Sequence, residues 1–346
     1  MAATVGKIES VAAASIAKVF GIAKASIGKV YGIAMPAGGV PFLDGWSYRK
    51  SITLSRASGA VNNYQMKLLV GESSGATGED VDCGGHVAAD FDDLRFTTSD
   101  GSSLLDYWIE SISGASPNGL ATVWIEFPTI GTGATTFYMY YGGTETAVSS
   151  GANTFIVFDD FERGADGDAV GGDWTVVSGT GKISTAQYWG GSRSLRIDNG
   201  RGTIPQTPSA DISIMVRWRK PDSANSLIAH TQGTDGFYLI HQSTENLQYY
   251  KSAAPAGYVT IGNYAHSTWH LAEVNNFNYT AKTNDFWING VKAVSGGAMN
   301  TVDNYNSVIS LTANTGDAYC HYDNIIVRNW RATEPAWGSW GSEESA

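Results

Sequence analysis

Alternation of apolar and polar residues governs this chain from Trp46 onward. WSYRKSITL (46–54), YQMKLLV (64–70), DLRFTT (93–98), LDYWIESI (105–112), ATVWIEF (121–127) and TTFYMYYG (135–142) all follow it, separated by clusters of Gly, Ser, Asn and Asp. A period of two sends successive side chains to opposite faces, so each segment reads as a half-buried strand of a sandwich. A second series runs through FIVFDDFE (155–162), SLRI (194–197), ISIMVRWR (212–219), FYLIHQ (237–242), WHLAEVNNF (269–277), NDFWINGVKA (284–293), SVISL (307–311) and HYDNIIVRNW (321–330). Within it, Asn289-Gly290 is the pair that favours a type I′ hairpin turn. An aromatic content of 12% with 41 Gly, 9 Pro and only 16% charged residues fits short strands and tight turns better than helices or disorder. The expected class is all-β, and 346 residues suffice for two β-sandwich or jelly-roll domains in tandem.

The amino end obeys a different rule. TVGKIESVAAA (4–14), SIAKVFGIAKA (15–25) and SIGKVYGIAMP (26–36) superimpose at a spacing of eleven, with Lys7, Lys18 and Lys29 in register. Eleven residues make three helical turns, which would align the apolar positions along one stripe of a helix. Against a helix stand Gly21, Gly28, Gly32 and many β-branched residues, each unfavourable there by about 0.5–1 kcal/mol. A short strand and turn per unit, with Gly21 and Gly32 in the turns, is the preferred alternative. Either form leaves Ile16, Val19, Ile22, Ile27, Val30 and Ile33 to be buried against a neighbour, since so short a segment lacks the apolar area to fold alone. Residues 1–40 are therefore read as a docking and assembly segment with a linker at 36–41, followed by domains at 41–157 and 158–331 and a surface tail at 332–346.

Several function classes are disfavoured. With 22 Lys and Arg against 33 Asp and Glu, the net charge is −11, which argues against a nucleic-acid groove. No run has the roughly 18 apolar residues of a membrane span, and Lys18, Lys24 and Lys29 interrupt what a secretory signal would need. Cys83 and Cys320 lie far apart and read as buried free thiols. The six His residues, among them His266 and His270, form no helical ligand pair, so zinc is unsupported. There is no nucleophile elbow, P-loop or dinucleotide fingerprint.

WSYRK (46–50), DLRFTTSDG (93–101), LDYWIE (105–110), ATVWI (121–125) and FYMYYG (137–142), leading to FDDFE (158–162), resemble an uncharacterised domain-of-unknown-function sandwich over residues 44–157. That family occurs in secreted and surface proteins of bacteria and archaea. FDDFE (158–162), WHLAE (269–273), DFWINGV (285–291) and YDNIIV (322–327) resemble the concanavalin A-like, laminin-G-like jelly rolls over residues 158–331. The SIxKVxGIA repeat is similar to segments of tailed-phage virion proteins.

These resemblances imply a structural, decoration or fibre protein of a phage virion, located on the particle surface or outside cells. Its expected partners are other virion subunits, further copies of itself and a host-surface glycan, with no nucleic acid and no membrane. The alternative is a secreted carbohydrate-binding module or carbohydrate-active enzyme. No enzyme is expected, because glycosidases of this class place acid and nucleophile on one strand as E-x-D-x-E, and no such string occurs. Asp160 and Asp323 are the expected ligands of a structural calcium, since the resemblance brings an acid at the opening of the jelly roll near one on its final strand. Tyr249, Tyr250 and Tyr258 are the expected glycan-stacking surface.

Overall fold

A computed structural model describes residues 40–346 apart from 77, 145–147, 222–224, 233–234, 253–254, 302–306 and 315–318, together with 18–19, 22–23, 29–30 and 33–34. The protein is all-β, in two sandwiches, with one short helix at Gly151–Thr154 among the described residues.

In the amino-terminal repeats, Lys18–Val19 pairs antiparallel with Ile22–Ala23, and Lys29–Val30 pairs with Ile33–Ala34. Val19 opposes Ile22 in the first pair and Val30 opposes Ile33 in the second, so the same pairing recurs at the eleven-residue spacing. These four segments are strands, as the glycines and β-branched residues favour. Ile16 and Ile27 lie outside the described residues.

The first sandwich packs two sheets. One orders Val81–Asp82, Val61–Gly71, Leu120–Ile130 and Tyr107–Ser113; the other orders Ala336–Trp340, Trp46–Ser55, Thr135–Gly143 and Arg95–Thr97. Alternation decides what lies between them: Ala121, Val123, Ile125 and Phe127 point inward with Leu68, Val70, Phe137 and Met139. Trp124, on the opposite face of its strand, stands directly across from Trp108. The segment expected as a surface tail instead supplies strand Ala336–Trp340 to the edge of Trp46–Ser55, and Glu344–Ser345 pairs further along the same strand.

Strand Val157–Asp159 carries the chain into the jelly roll by pairing with Tyr319–Asn329. There, hydrogen-bonded neighbours run Gly257–Asn263, Asn246–Lys251, Asp235–His241, Asn225–Gln232, Val308–Asn314, Ser194–Pro205, Tyr319–Asn329, Ile212–Arg219, His270–Asn278, Thr283–Ile288 and Val291–Ala298. This sheet folds over a core that includes Ile197, Trp218, Leu239, Phe286, Leu311 and Tyr322. Ile288 opposes Val291 across Asn289 and Gly290, both with positive φ (51° and 79°), which is the expected type I′ turn.

The two sandwiches share a hydrophobic seam. Trp108, Trp124 and Phe155 pack against Met215 and Ile326 of the jelly roll. Glu110 and Arg217 form a largely buried ion pair across it, and the Trp124 indole N–H donates to the same Glu110 carboxylate at 2.9 Å.

Candidate functional site

The jelly roll presents one sheet face that the core does not use. Along strand Asn246–Lys251, Leu247 and Tyr249 face inward, and Tyr249 stacks on Phe286 with ring centroids 5.3 Å apart. Gln248 and Tyr250 therefore point the other way. Tyr249 is only 9% exposed, which removes it from the expected stacking surface. It is a core residue because strand pleating separates it from its neighbour.

Tyr250 stands directly opposite Tyr258, their rings edge to face at 5.0 Å, and Tyr238 meets Tyr250 at 6.4 Å. Three strands thus bring three tyrosines to one surface, and Tyr258 is 50% exposed. Beside them Thr260 opposes Gln248, whose amide N–H donates to the threonine hydroxyl at 3.0 Å. The row continues by direct cross-strand pairing from Gln248 through Ile240 and Leu227 to Thr312 and Arg201. A parallel row links Tyr238 through Ala229 to Ser310 and Thr203. Leu227, Ala229 and Ile240 form a small buried apolar cluster packed by Tyr238. The Ser310 and Thr312 hydroxyls and the Gln248 carbonyl oxygen are buried without a hydrogen-bond partner. Chemically, this face combines aromatic rings with unspent donors and acceptors, and none of the side chains named on it is a carboxylate.

Asp160 and Asp323 both accept hydrogen bonds from backbone N–H groups. The Asp323 carboxyl is fully buried and accepts from the Trp189 N–H at 2.7 Å and the Asn324 N–H at 2.8 Å. Burial raises its pKa to about 7 although those donors pull the other way. Asp160 accepts from the Glu162 N–H at 3.3 Å, and burial raises its pKa as well. Among the described residues, no group of three or more His, Cys, Asp or Glu is placed to hold a metal ion.

What Asp323 does is fix a loop, with Glu162 as its partner in the task. Glu162 accepts from the backbone N–H groups of Ser192 and Arg193 at 2.7 and 2.8 Å. Gly191, at φ +60°, lies so close that a Cβ would meet the Glu162 carboxylate at 2.2 Å. The loop holds Tyr188 and Trp189 outward, with the Arg217 guanidinium 4.1 Å from the Trp189 ring centroid.

The fold also brings together histidines that sequence spacing kept apart. His241 has His266 at 5.5 Å and His270 at 6.0 Å between ring centroids. His241 accepts from the Trp218 indole N–H at 3.2 Å, and its other ring nitrogen lies 2.8 Å from the Tyr264 carbonyl. Only His266 and His270 are near in sequence; His241 arrives from another strand, so no local pattern announces the group. Cys83 and Cys320 are both buried and free.

A search of curated proteins finds no match. Among solved structures, a β-glucanase of Bacillus licheniformis is 12% identical, covering 51% of this chain and 98% of its own at a TM-score of 0.34. An endo-β-1,4-glucuronan lyase of the fungus Trichoderma reesei is also 12% identical, covering 51% of this chain and 95% of its own at 0.33. A conserved carbohydrate esterase of a Shiga toxin-encoding bacteriophage is 11% identical, covering 46% and 90% at 0.34. By sequence, residues 90–177, from the first sandwich into the opening of the jelly roll, match the family described as a domain of unknown function, DUF2341.

Proposed function

We propose that this protein is a non-catalytic glycan-binding protein whose jelly roll holds saccharides on the tyrosine face. The observation that carries this reading is the convergence of Tyr238, Tyr250 and Tyr258 from three strands beside Gln248 and Thr260. Sugar rings present apolar C–H faces that stack on aromatic rings, while their hydroxyls both donate and accept. The partnerless oxygens of Gln248, Ser310 and Thr312 match that second requirement. Hydrolysis by a pair of carboxylates would need an acid and a nucleophile or base flanking the bond, and the rows described here supply neither. A glycan array on the full chain, followed by calorimetry on the best binder, tests the reading. Tyr258→Ala should weaken binding at least tenfold without altering the melting temperature. Binding unaffected by Tyr258→Ala, or release of reducing sugar from the bound glycan, would refute it.

A second reading concerns the amino-terminal repeats, as the part that attaches the protein to a phage particle or to further copies of itself. It is favoured by one observation, the recurrence of the same strand pairing at the eleven-residue spacing. Sedimentation of the full chain against a variant lacking residues 1–36 tests it, and identical monomeric behaviour of the two would count against self-association.

A further inference from the structure

The seam between the sandwiches is polar where it opens to solvent. Two adjoining clefts of about 510 and 440 Å³ share Lys67, Glu273, Arg328 and Glu334. Strand register builds the jelly-roll wall: Met215 opposes Glu273, Glu273 opposes Trp287, and Ser213 opposes Arg328, so these side chains share the outward face. Lys67 comes from the first sandwich, and Glu334 from the returning carboxyl-terminal segment.

Three polar atoms in this wall are buried without partners: the Arg328 Nε–H, the Trp287 indole N–H and the Asn275 side-chain oxygen. Asn275 is only 2% exposed, and its amide N–H is already spent on Glu273 at 3.1 Å. Unpaired buried groups are costly, and three in one wall, two donors and one acceptor, call for a bound molecule that both donates and accepts. Charge singles out one further side chain, although Arg328 is shared by two carboxylates. Arg328 meets Glu273 at 3.1 Å and Glu334 at 2.8 Å, Lys292 meets Asp285 at 2.7 Å, and Arg331 meets Asp211 at 3.1 Å. Lys67, exposed on the rim, has no carboxylate partner among the described residues.

We infer that this seam is a binding site for a carboxylated sugar, such as a hexuronate. Its ring lies against Trp287, its hydroxyls reach the wall, and its carboxylate faces Lys67. The site uses none of the residues of the tyrosine face and does not depend on that face binding glycan.

The test is a titration of the ¹⁵N-labelled full chain with D-glucuronate, with D-glucose and acetate as controls. The readout is the Trp287 indole N–H resonance, assigned by its disappearance in Trp287→Phe. A saturable shift with glucuronate is expected, weaker by at least tenfold in Lys67→Ala, whose exposed position leaves folding intact. Glucose should bind more weakly and acetate should cause no shift. Absence of a glucuronate shift, equal binding of glucose, or an unchanged response in Lys67→Ala would overturn the assignment. An equal shift with acetate would also overturn it, by indicating an adventitious ion only.

Discussion

Asp323 is a buried carboxyl whose hydrogen-bond donors and surroundings pull in opposite directions, and burial prevails, with a pKa of about 7 against an ordinary 3.8. A folded pKa above the unfolded one means that its stabilisation is complete below about pH 4 and is lost as pH rises to 7. Asp323→Asn cannot ionise, so it should gain on the wild type by up to about 4 kcal/mol between those limits. Urea unfolding of both proteins near pH 4 and above pH 7 measures this; a pH-independent difference would refute it. Three buried histidines act in the other direction. Desolvation lowers His230 and His321 to about 4 and His241 to about 3, from 6.5. They are neutral in the fold, so their stabilisation is present above about pH 6.5 and is lost as pH falls through the folded values. Three such groups outweigh one Asp323, and the melting temperature should fall between pH 6.5 and 4. At this scale the sequence is informative only about parity. Alternation permits Tyr250 to face outward and requires Tyr249 to face inward once Tyr250 does, but no local pattern says which of the two faces the core.

Among the elements, strand Ala336–Trp340 has the longest reach, because it pairs with Trp46–Ser55 from the far end of the chain. Trp337 packs edge to face on Phe127 at 5.9 Å, Glu344 meets the buried Arg49 at 2.6 Å, and the Tyr141 hydroxyl donates to Glu343 at 2.8 Å. Deleting residues 332–346 exposes the edge of Trp46–Ser55 and strands Arg49 without its carboxylate. A loss of about 3 kcal/mol in the first sandwich is expected from the partly buried tryptophans alone. Hydrogen exchange should report it as faster exchange along Trp46–Ser55, with Val308–Asn314 in the jelly roll unchanged; equal protection in both proteins would contradict it. RATEPAWGSWGSEESA has no clean period and two glycines, so its strand character was illegible from local pattern. An edge strand completed by a partner needs only one good face and a free ladder to join. The Asn289-Gly290 hairpin is the opposite case, where two residues set the turn by themselves.

Across the whole molecule, the Glu110–Arg217 pair and the Trp108, Trp124, Phe155, Met215 and Ile326 cluster join the two sandwiches. Both charged side chains are largely buried, so removing one leaves the other uncompensated. Arg217→Ala should destabilise the protein by about 3–5 kcal/mol, whereas Glu110→Gln with Arg217→Met should recover most of the loss. Urea unfolding of the single and double variants measures this, and equal losses would show that the pair contributes only as packing. Trp108 and Trp124 were legible as strand residues, but their task was not, because one face of the first sandwich is covered by another domain and not by water. The chain's own order of residues determined the all-β class, many of the strands, the turn at Asn289-Gly290 and the separation of Tyr249 from Tyr250, since each follows from backbone sterics and a period of two; the strands Thr175–Ser184, Asn225–Gln232, Asn246–Lys251 and Gly257–Asn263 stand outside the alternating segments. Tertiary structure alone decided the return of the carboxyl-terminal strand, the meeting of His241 with His266 and His270, the raised pKa of Asp323 and the polar cleft at the seam. Those depend on desolvation and on contacts between residues distant in sequence, which a local pattern cannot encode.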